Sequence, residues 1–184
     1  MSTSVNTYWT ETLPEPLPAN PLTVAAQWLA QALLDAAQPN PNAMVLATVS
    51  GNGAPSLRVV QLKEPGESGF VFYTNYGSRK AQELDHNERT ALLFFWPTLQ
   101  RQIRIEGVAS RTTREESSDY FRTRVRGAQI GAWASAQSEV ITTREALEQR
   151  VVELEHEYAG REVPVPPFWG GFRVVPSRFE FWQG

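Results

Sequence analysis

The 184-residue sequence predicts one mainly β domain, an antiparallel barrel or sandwich with flanking helices, behind an irregular arm over residues 1–19. Three observations lead there. Seven short segments carry the alternation or the β-branched, aromatic bias of strands. Most gaps between them are too short for the helical crossovers that parallel strands need. The 41% hydrophobic content, over a chain of this length, fills one core of ordinary size without disulfides or metal.

The elements follow in order. Residues 1–19 hold three of the thirteen prolines and little periodicity. Asn20 then caps a helix with Pro21 in its first position, and Leu22, Ala25, Ala26, Leu29, Leu33 and Leu34 recur at helical spacing. That helix is expected to reach about Ala37, before Pro39 and Pro41. Strands are predicted over 43–49, 56–63, 69–75, 90–96 and 100–112, with Gly51 and Gly53 suited to the first hairpin turn. A final pair, 172–175 and 178–182, is split around Pro176. Three helices interrupt the strands: one from Ser78 to His86, one through SSDYFRTR behind a Thr112 or Thr113 capping box, and one from Thr142 to Tyr158, ended by Gly160.

Composition excludes several chemistries. The absence of cysteine removes disulfide scaffolds, thiolate metal sites and cysteine nucleophiles, and two histidines, His86 and His156, cannot build a multi-histidine metal centre. No metal site is expected. No apolar run approaches a membrane span and no charged-then-apolar leader opens the sequence, so the cytoplasm is the expected compartment and no membrane partner is foreseen. Charge is unevenly spread. Residues 1–57 carry −3, residues 58–126 carry +3 and residues 127–184 carry −3. A basic middle within an acidic protein argues for a discrete anion site and against a nucleic-acid surface. Fifteen of the seventeen cations are Arg, a bias that genome composition explains as well as function does, which leaves Lys63 and Lys80 conspicuous.

Four segments are candidates for chemistry. Arg79 and Lys80 occupy the first turn of the Ser78 helix, where the helix dipole disfavours cations unless an anion such as a phosphate lies between them. The alternative is a solvated helix start. Tyr120 and Arg124 are four apart, so on a helix they converge on one ligand, unless that helix is merely an exposed one whose arginines pair with Glu115, Glu116 and Asp119. Arg58 and Lys63 bracket a strand, yet their parity sends them to opposite faces, which requires a bulge or two different subsites. QIGAWASAQS (129–138) is rich in small residues that admit a flat ligand or a partner subunit, with Gln137 and Ser138 as hydrogen-bonding groups; Trp169 and Trp182 serve as core or as stacking surfaces. No serine–histidine–acid set, carboxylate pair or P-loop appears, which points to chemistry carried by a cofactor.

RVVQLK, FYTNYGSRK, LQRQIRIEG, YFRTR, QIGAWASAQS, PFWGGFR and EFWQG, in this order and spacing from about residue 20 onward, resemble the pyridoxine/pyridoxamine 5′-phosphate oxidase family. The resemblance implies a split β-barrel homodimer with FMN at the subunit interface, each site drawing on both chains. It implies oxidation of pyridoxamine or pyridoxine 5′-phosphate to pyridoxal 5′-phosphate, with O2 as acceptor giving H2O2. By motif, Arg58, Val59, Val60, Gln61, Leu62 and Lys63 would line the FMN, and Lys63 would also reach the substrate phosphate. Tyr73 and Thr74 would contact the flavin, Arg79 and Lys80 would hold the FMN phosphate, and Gln102 would bond the isoalloxazine edge. Gln137 and Ser138 would approach from the other subunit and Trp182 would flank the ring. Tyr120, Arg124 and the position of Ala128 would bind the substrate phosphate. Two departures stand out: Ala128 replaces a usual serine, and Val125 a usual proline. The resemblance further implies a substrate-covering segment after WQG, with an Arg-x-His element and another Arg, which this sequence, ending at Gly184, does not include.

Overall fold

The computed structural model describes residues 13–66 and 68–184. The part of the arm over 1–12 lies outside the described residues, and 13–20 form neither helix nor strand. Helix α1 (Pro21–Leu34) starts as its sequence predicts, the Asn20 side chain accepting the Leu22 N–H at 3.0 Å. It ends three residues earlier than the spacing suggests. Asp35 takes extended backbone and its carboxylate accepts the Ala37 N–H at 2.9 Å, the kind of local bond by which Asp draws a chain out of a helix.

One antiparallel sheet of seven strands follows: β1 (Ala43–Val49), β2 (Pro55–Gln61), β3 (Glu64–Gly66), β4 (Gly69–Asn75), β5 (Arg89–Trp96), β6 (Arg101–Arg111) and β7 (Trp169–Gln183), in the order β2-β1-β5-β6-β7-β4-β3. The count agrees with the sequence reading but two members differ. Strand β3 lies in the gap between the second and third predicted strands, and the final pair is one continuous strand. Pro176 does not break β7 because it sits at a register shift opposite Glu106 and Gly107, a bulge where the ladder asks for no N–H. The sheet curls toward its own edges where β2 runs on into β3. Leu62 N–H reaches Asn42 O, before β1, at 2.8 Å, and Lys63 N–H reaches Val71 O, in β4, at 2.9 Å. This answers the parity conflict, since β2 ends at Gln61 and Lys63 lies beyond it.

The inner sheet face and α1 enclose the main core, including Trp28, Met44, Leu46, Phe72, Leu92, Phe94, Ile103, Ile105 and Phe172. The opposite face carries Leu57, Val59, Phe95 and Trp182, all more than half exposed, beside a ladder of ion pairs among Arg104, Glu106 and Glu180. Four further α-helices complete the described residues. Helix α2 is Arg79–His86, behind Ser78; α3 is Arg114–Thr123, with a full capping box between Thr113 and Glu116; α5 is Arg144–Glu157, capped by Thr143 rather than Thr142. Helix α4 (Arg126–Ala134) occupies the small-residue segment, which the sequence reading left without an element. Phe121, Ile130, Leu154, Val163 and Trp169 form a second core among α3, α4, α5 and the start of β7.

Candidate functional site

The two cores leave a cleft of about 610 Å³ between them, bounded by the end of β2, the end of β4, α2, and the α3–α4 segment. It gathers eleven of the residues singled out above: Val59, Val60, Gln61, Lys63, Tyr73, Thr74, Lys80, Tyr120, Arg124, Ala128 and Gln137. Val125, Gly131, Ala132 and Trp169, which the motif reading did not assign, also line it.

One end of the cleft is cationic. Lys80 Nζ donates to Gln137 Oε1 (2.6 Å), Thr74 Oγ1 (3.1 Å) and Ser78 Oγ (3.2 Å), all neutral acceptors. Burial, with the neighbouring Arg58 charge, brings its pKa down to about 8. Arg58 and Arg79 lie beside this group but outside the cleft lining, both joined to Glu83 in α2. Arg58 is also held by Leu46 O (3.1 Å), Thr48 Oγ1 (2.5 Å) and Ser56 Oγ. Arg79 and Lys80, expected at a phosphate, and Arg58, expected to line the FMN, are therefore neighbours. The acid that organises two of them, Glu83, was not singled out from sequence, although its place one helical turn after Arg79 is the signal that could have found it.

The other end is aromatic. Tyr73, Tyr120 and Trp169 lie nearly parallel, with centroids 4.1 Å apart for Tyr73–Tyr120 and 5.3 Å for Tyr73–Trp169. The Arg124 guanidinium lies 4.8 Å from the Trp169 centroid, and Lys63 Nζ 5.9 Å from that of Tyr120. Gly171 makes this packing possible, since a Cβ there would come within 2.9 Å of the Tyr73 ring and 2.7 Å of Thr112 Oγ1. Tyr120 and Arg124 do converge on the cleft, but not by helical spacing: α3 ends at Thr123, and Arg124 adopts extended backbone. Among the described residues, Arg124 Nη1 is the buried side-chain atom left with no hydrogen-bond partner. Burial lowers the Arg124 pKa from its ordinary value, opposed by Tyr120. A desolvated guanidinium nitrogen with nothing to donate to is a poised anion ligand.

The remaining expected site residues lie elsewhere. Leu62 is buried in the core at 3% exposure, because the backbone turns inward where β2 ends. Gln102 stands between Phe95 and Trp182 across three strands of the outward sheet face, outside the cleft lining. Ser138 is exposed, with a left-handed φ of 73°. Gln137, expected from a second subunit, meets Lys80 and Thr74 of its own chain, Thr74 Oγ1 donating at 2.9 Å. Among the described residues no cluster of three or more His, Cys, Asp or Glu side chains is placed to hold a metal, and no helix is long and apolar enough to cross a membrane.

Residues 30–158 match the family model described as pyridoxamine 5′-phosphate oxidase. A pyridoxine/pyridoxamine 5′-phosphate oxidase of Rubrobacter xylanophilus is 57% identical over 165 residues, 90% of this chain and 76% of that protein. One of Microcystis aeruginosa is 54% identical over 166 residues, 90% of this chain and 77% of its own length. Among solved structures, PhzG of Burkholderia lata 383, in complex with tetrahydrophenazine-1-carboxylic acid, superposes with a TM-score of 0.89 at 31% identity, covering 95% of this chain and 86% of PhzG. An FMN-binding protein of Nostoc punctiforme shares the fold, with a TM-score of 0.68 at 15% identity over 88% of this chain and 82% of that one. With a cationic cleft in this split-barrel fold and relatives of this identity across most of its length, the chain belongs to the pyridoxamine 5′-phosphate oxidase family.

Proposed function

We propose that this protein is a cytoplasmic, homodimeric FMN-dependent oxidase that converts pyridoxamine and pyridoxine 5′-phosphates to pyridoxal 5′-phosphate, with O2 as acceptor and H2O2 as co-product, water being consumed and ammonia released when the substrate is the amine. The observation that carries this reading is a single cleft with two separate cationic ends, each short of a counter-anion, joined by a flat aromatic wall. The donor set at the first end fits the phosphate of FMN: Lys80 faces only neutral acceptors, with Arg58 and Arg79 alongside. At the second end Arg124 Nη1, Tyr120 and Lys63 fit the substrate phosphate. When bound, FMN would take up the hydride removed from the substrate's 4′ carbon and pass the electrons to O2.

This chain's residues supply binding and orientation. Charge-assisted bonds at both ends fix the two ring systems in one relative pose, which replaces a bimolecular encounter by an oriented one. Val59, Val60 and the small residues of α4 leave room for a flat ring between the two ends. Gln102 and Trp182 join the site from a second copy, whose apolar outward face supplies the contact.

The test is direct. Purified protein should be yellow, should release FMN on denaturation, and should produce H2O2 from pyridoxamine 5′-phosphate. Arg124→Ala should raise KM about 10- to 150-fold, the equivalent of the ~1.5–3 kcal/mol of a charged hydrogen bond. A colourless protein indifferent to added FMN would overturn the proposal. A second reading, oxidation of a different substrate on the same flavin, draws on the similarity to PhzG and on Ala128, which offers no hydroxyl for a phosphate. It predicts a flavoprotein that turns over a ring-borne carboxylate and leaves pyridoxamine 5′-phosphate untouched.

A further inference from the structure

Glu83 is a buried acid at the meeting of three elements. Its residue is 5% exposed. One carboxylate oxygen accepts from Thr48 Oγ1 in β1, from Ser56 Oγ (2.8 Å) in β2 and from Arg58 Nη2 (3.3 Å) in β2; the other accepts from Arg79 Nε (2.8 Å) in α2. A carboxylate so placed is tolerated only with cationic partners. Both of its partners are guanidiniums beside Lys80 at the cationic end of the cleft.

The geometry of the grip matters. Arg79 is bound through Nε, and its terminal nitrogens, on a side chain 61% exposed, stay available to an anion. Left to itself such a side chain would sample many rotamers, and ordering it would cost binding free energy. The charges also match. Two guanidiniums and one carboxylate leave +1, and Lys80 brings the group to +2, the complement of a phosphate monoester near neutral pH. Without the carboxylate the three cations would repel one another, and Arg79, more exposed than Arg58, would swing into solvent.

We propose that Glu83 is a positioning residue, whose carboxylate holds Arg58 and Arg79 as a preassembled pair for the phosphate end of the flavin. The proposal rests on the reading of these arginines and Lys80 as ligands of the FMN phosphate, and goes beyond it by assigning the acid that organises them.

The experiment compares FMN with riboflavin, which lacks the phosphate, by fluorescence titration of the flavin-stripped full chain. Glu83→Gln should weaken FMN about tenfold and leave riboflavin affinity unchanged. In an Arg79→Ala background the same substitution should add little, because the two act through one grip. Should Glu83→Gln fail to fold, Glu83→Asp keeps the charge while shortening its reach, and should lose FMN affinity in the same selective way. Equal loss of both flavins, unchanged FMN affinity, or additive effects of Glu83→Gln and Arg79→Ala would overturn the proposal. If Arg79→Ala itself left FMN affinity untouched, the phosphate reading beneath it would fall first, and the two failures are thereby told apart.

Discussion

At pH 7 the Lys80 ammonium is charged among neutral acceptors, with its pKa held at about 8 by burial and the nearby Arg58 guanidinium, against an ordinary 10.5. Two opposite pH dependences result. Between about 8 and 10.5 the unfolded chain holds the Lys80 proton and the folded chain does not, so this residue's contribution to stability rises with pH across that window. On the proposed reading the flavin phosphate needs the charged form, so FMN affinity should fall as pH rises through about 8. A titration of FMN affinity over pH 7–10 checks this, and Lys80→Arg, charged throughout, should flatten the curve. Such residues were partly legible beforehand. Two adjacent cations in a first helical turn advertise an anion, whereas Glu83 on the same helix looks like any solvated acid until β1 and β2 close over it.

At the scale of the element, β-branched and aromatic runs marked most strands, and alternation marked β6, where one sheet face is buried and the other is not. These signals failed where backbone partners rather than side chains decide. Strand β3 is three residues, including Pro and Gly, that exist as a strand only beside β4. Strand β7 runs through Pro176 because a bulge takes the proline in, and α4 forms from RGAQIGAWA, a short segment rich in glycine and alanine that buries Ile130. The α3 helix was foreseen, but its end before Arg124 was not. The pairing of Tyr120 with Arg124 comes instead from ring stacking against Trp169, a contact between distant segments that local spacing does not encode. Gly171 in β7 tests this packing. Gly171→Ala drives a methyl into Tyr73 and Thr112, and is expected to cost about 1–3 kcal/mol, read as a lower urea midpoint together with weaker flavin binding.

For the molecule as a whole, the outward sheet face is the feature the single chain leaves unexplained. Leu57 (69% exposed), Val59 (63%), Phe95 (57%) and Trp182 (51%) present apolar surface around Gln102, and the family resemblance places Val59, Gln102 and Trp182 near flavin. A second copy covering this face would bring Gln102 and Trp182 to its partner's cleft. Phe95→Glu, which lies outside the cleft lining, should therefore yield monomers by light scattering and, in the same sample, lower FMN affinity. A dimer that persists with full affinity would refute that arrangement.

The strand order carries a consequence for biosynthesis. Strands β4 and β3, with Tyr73 and Thr74, are tied to the rest of the sheet through β7, which arises last in chain order and is threaded between β6 and β4. A nascent chain can zip β1, β2, β5 and β6 together while translation proceeds, yet β4 must wait without its neighbour until residues 169–183 have left the ribosome. During that interval the aromatic half of the proposed ligand-binding surface has no scaffold, so on the proposed reading flavin capture waits for residues 169–183 to be laid between β6 and β4.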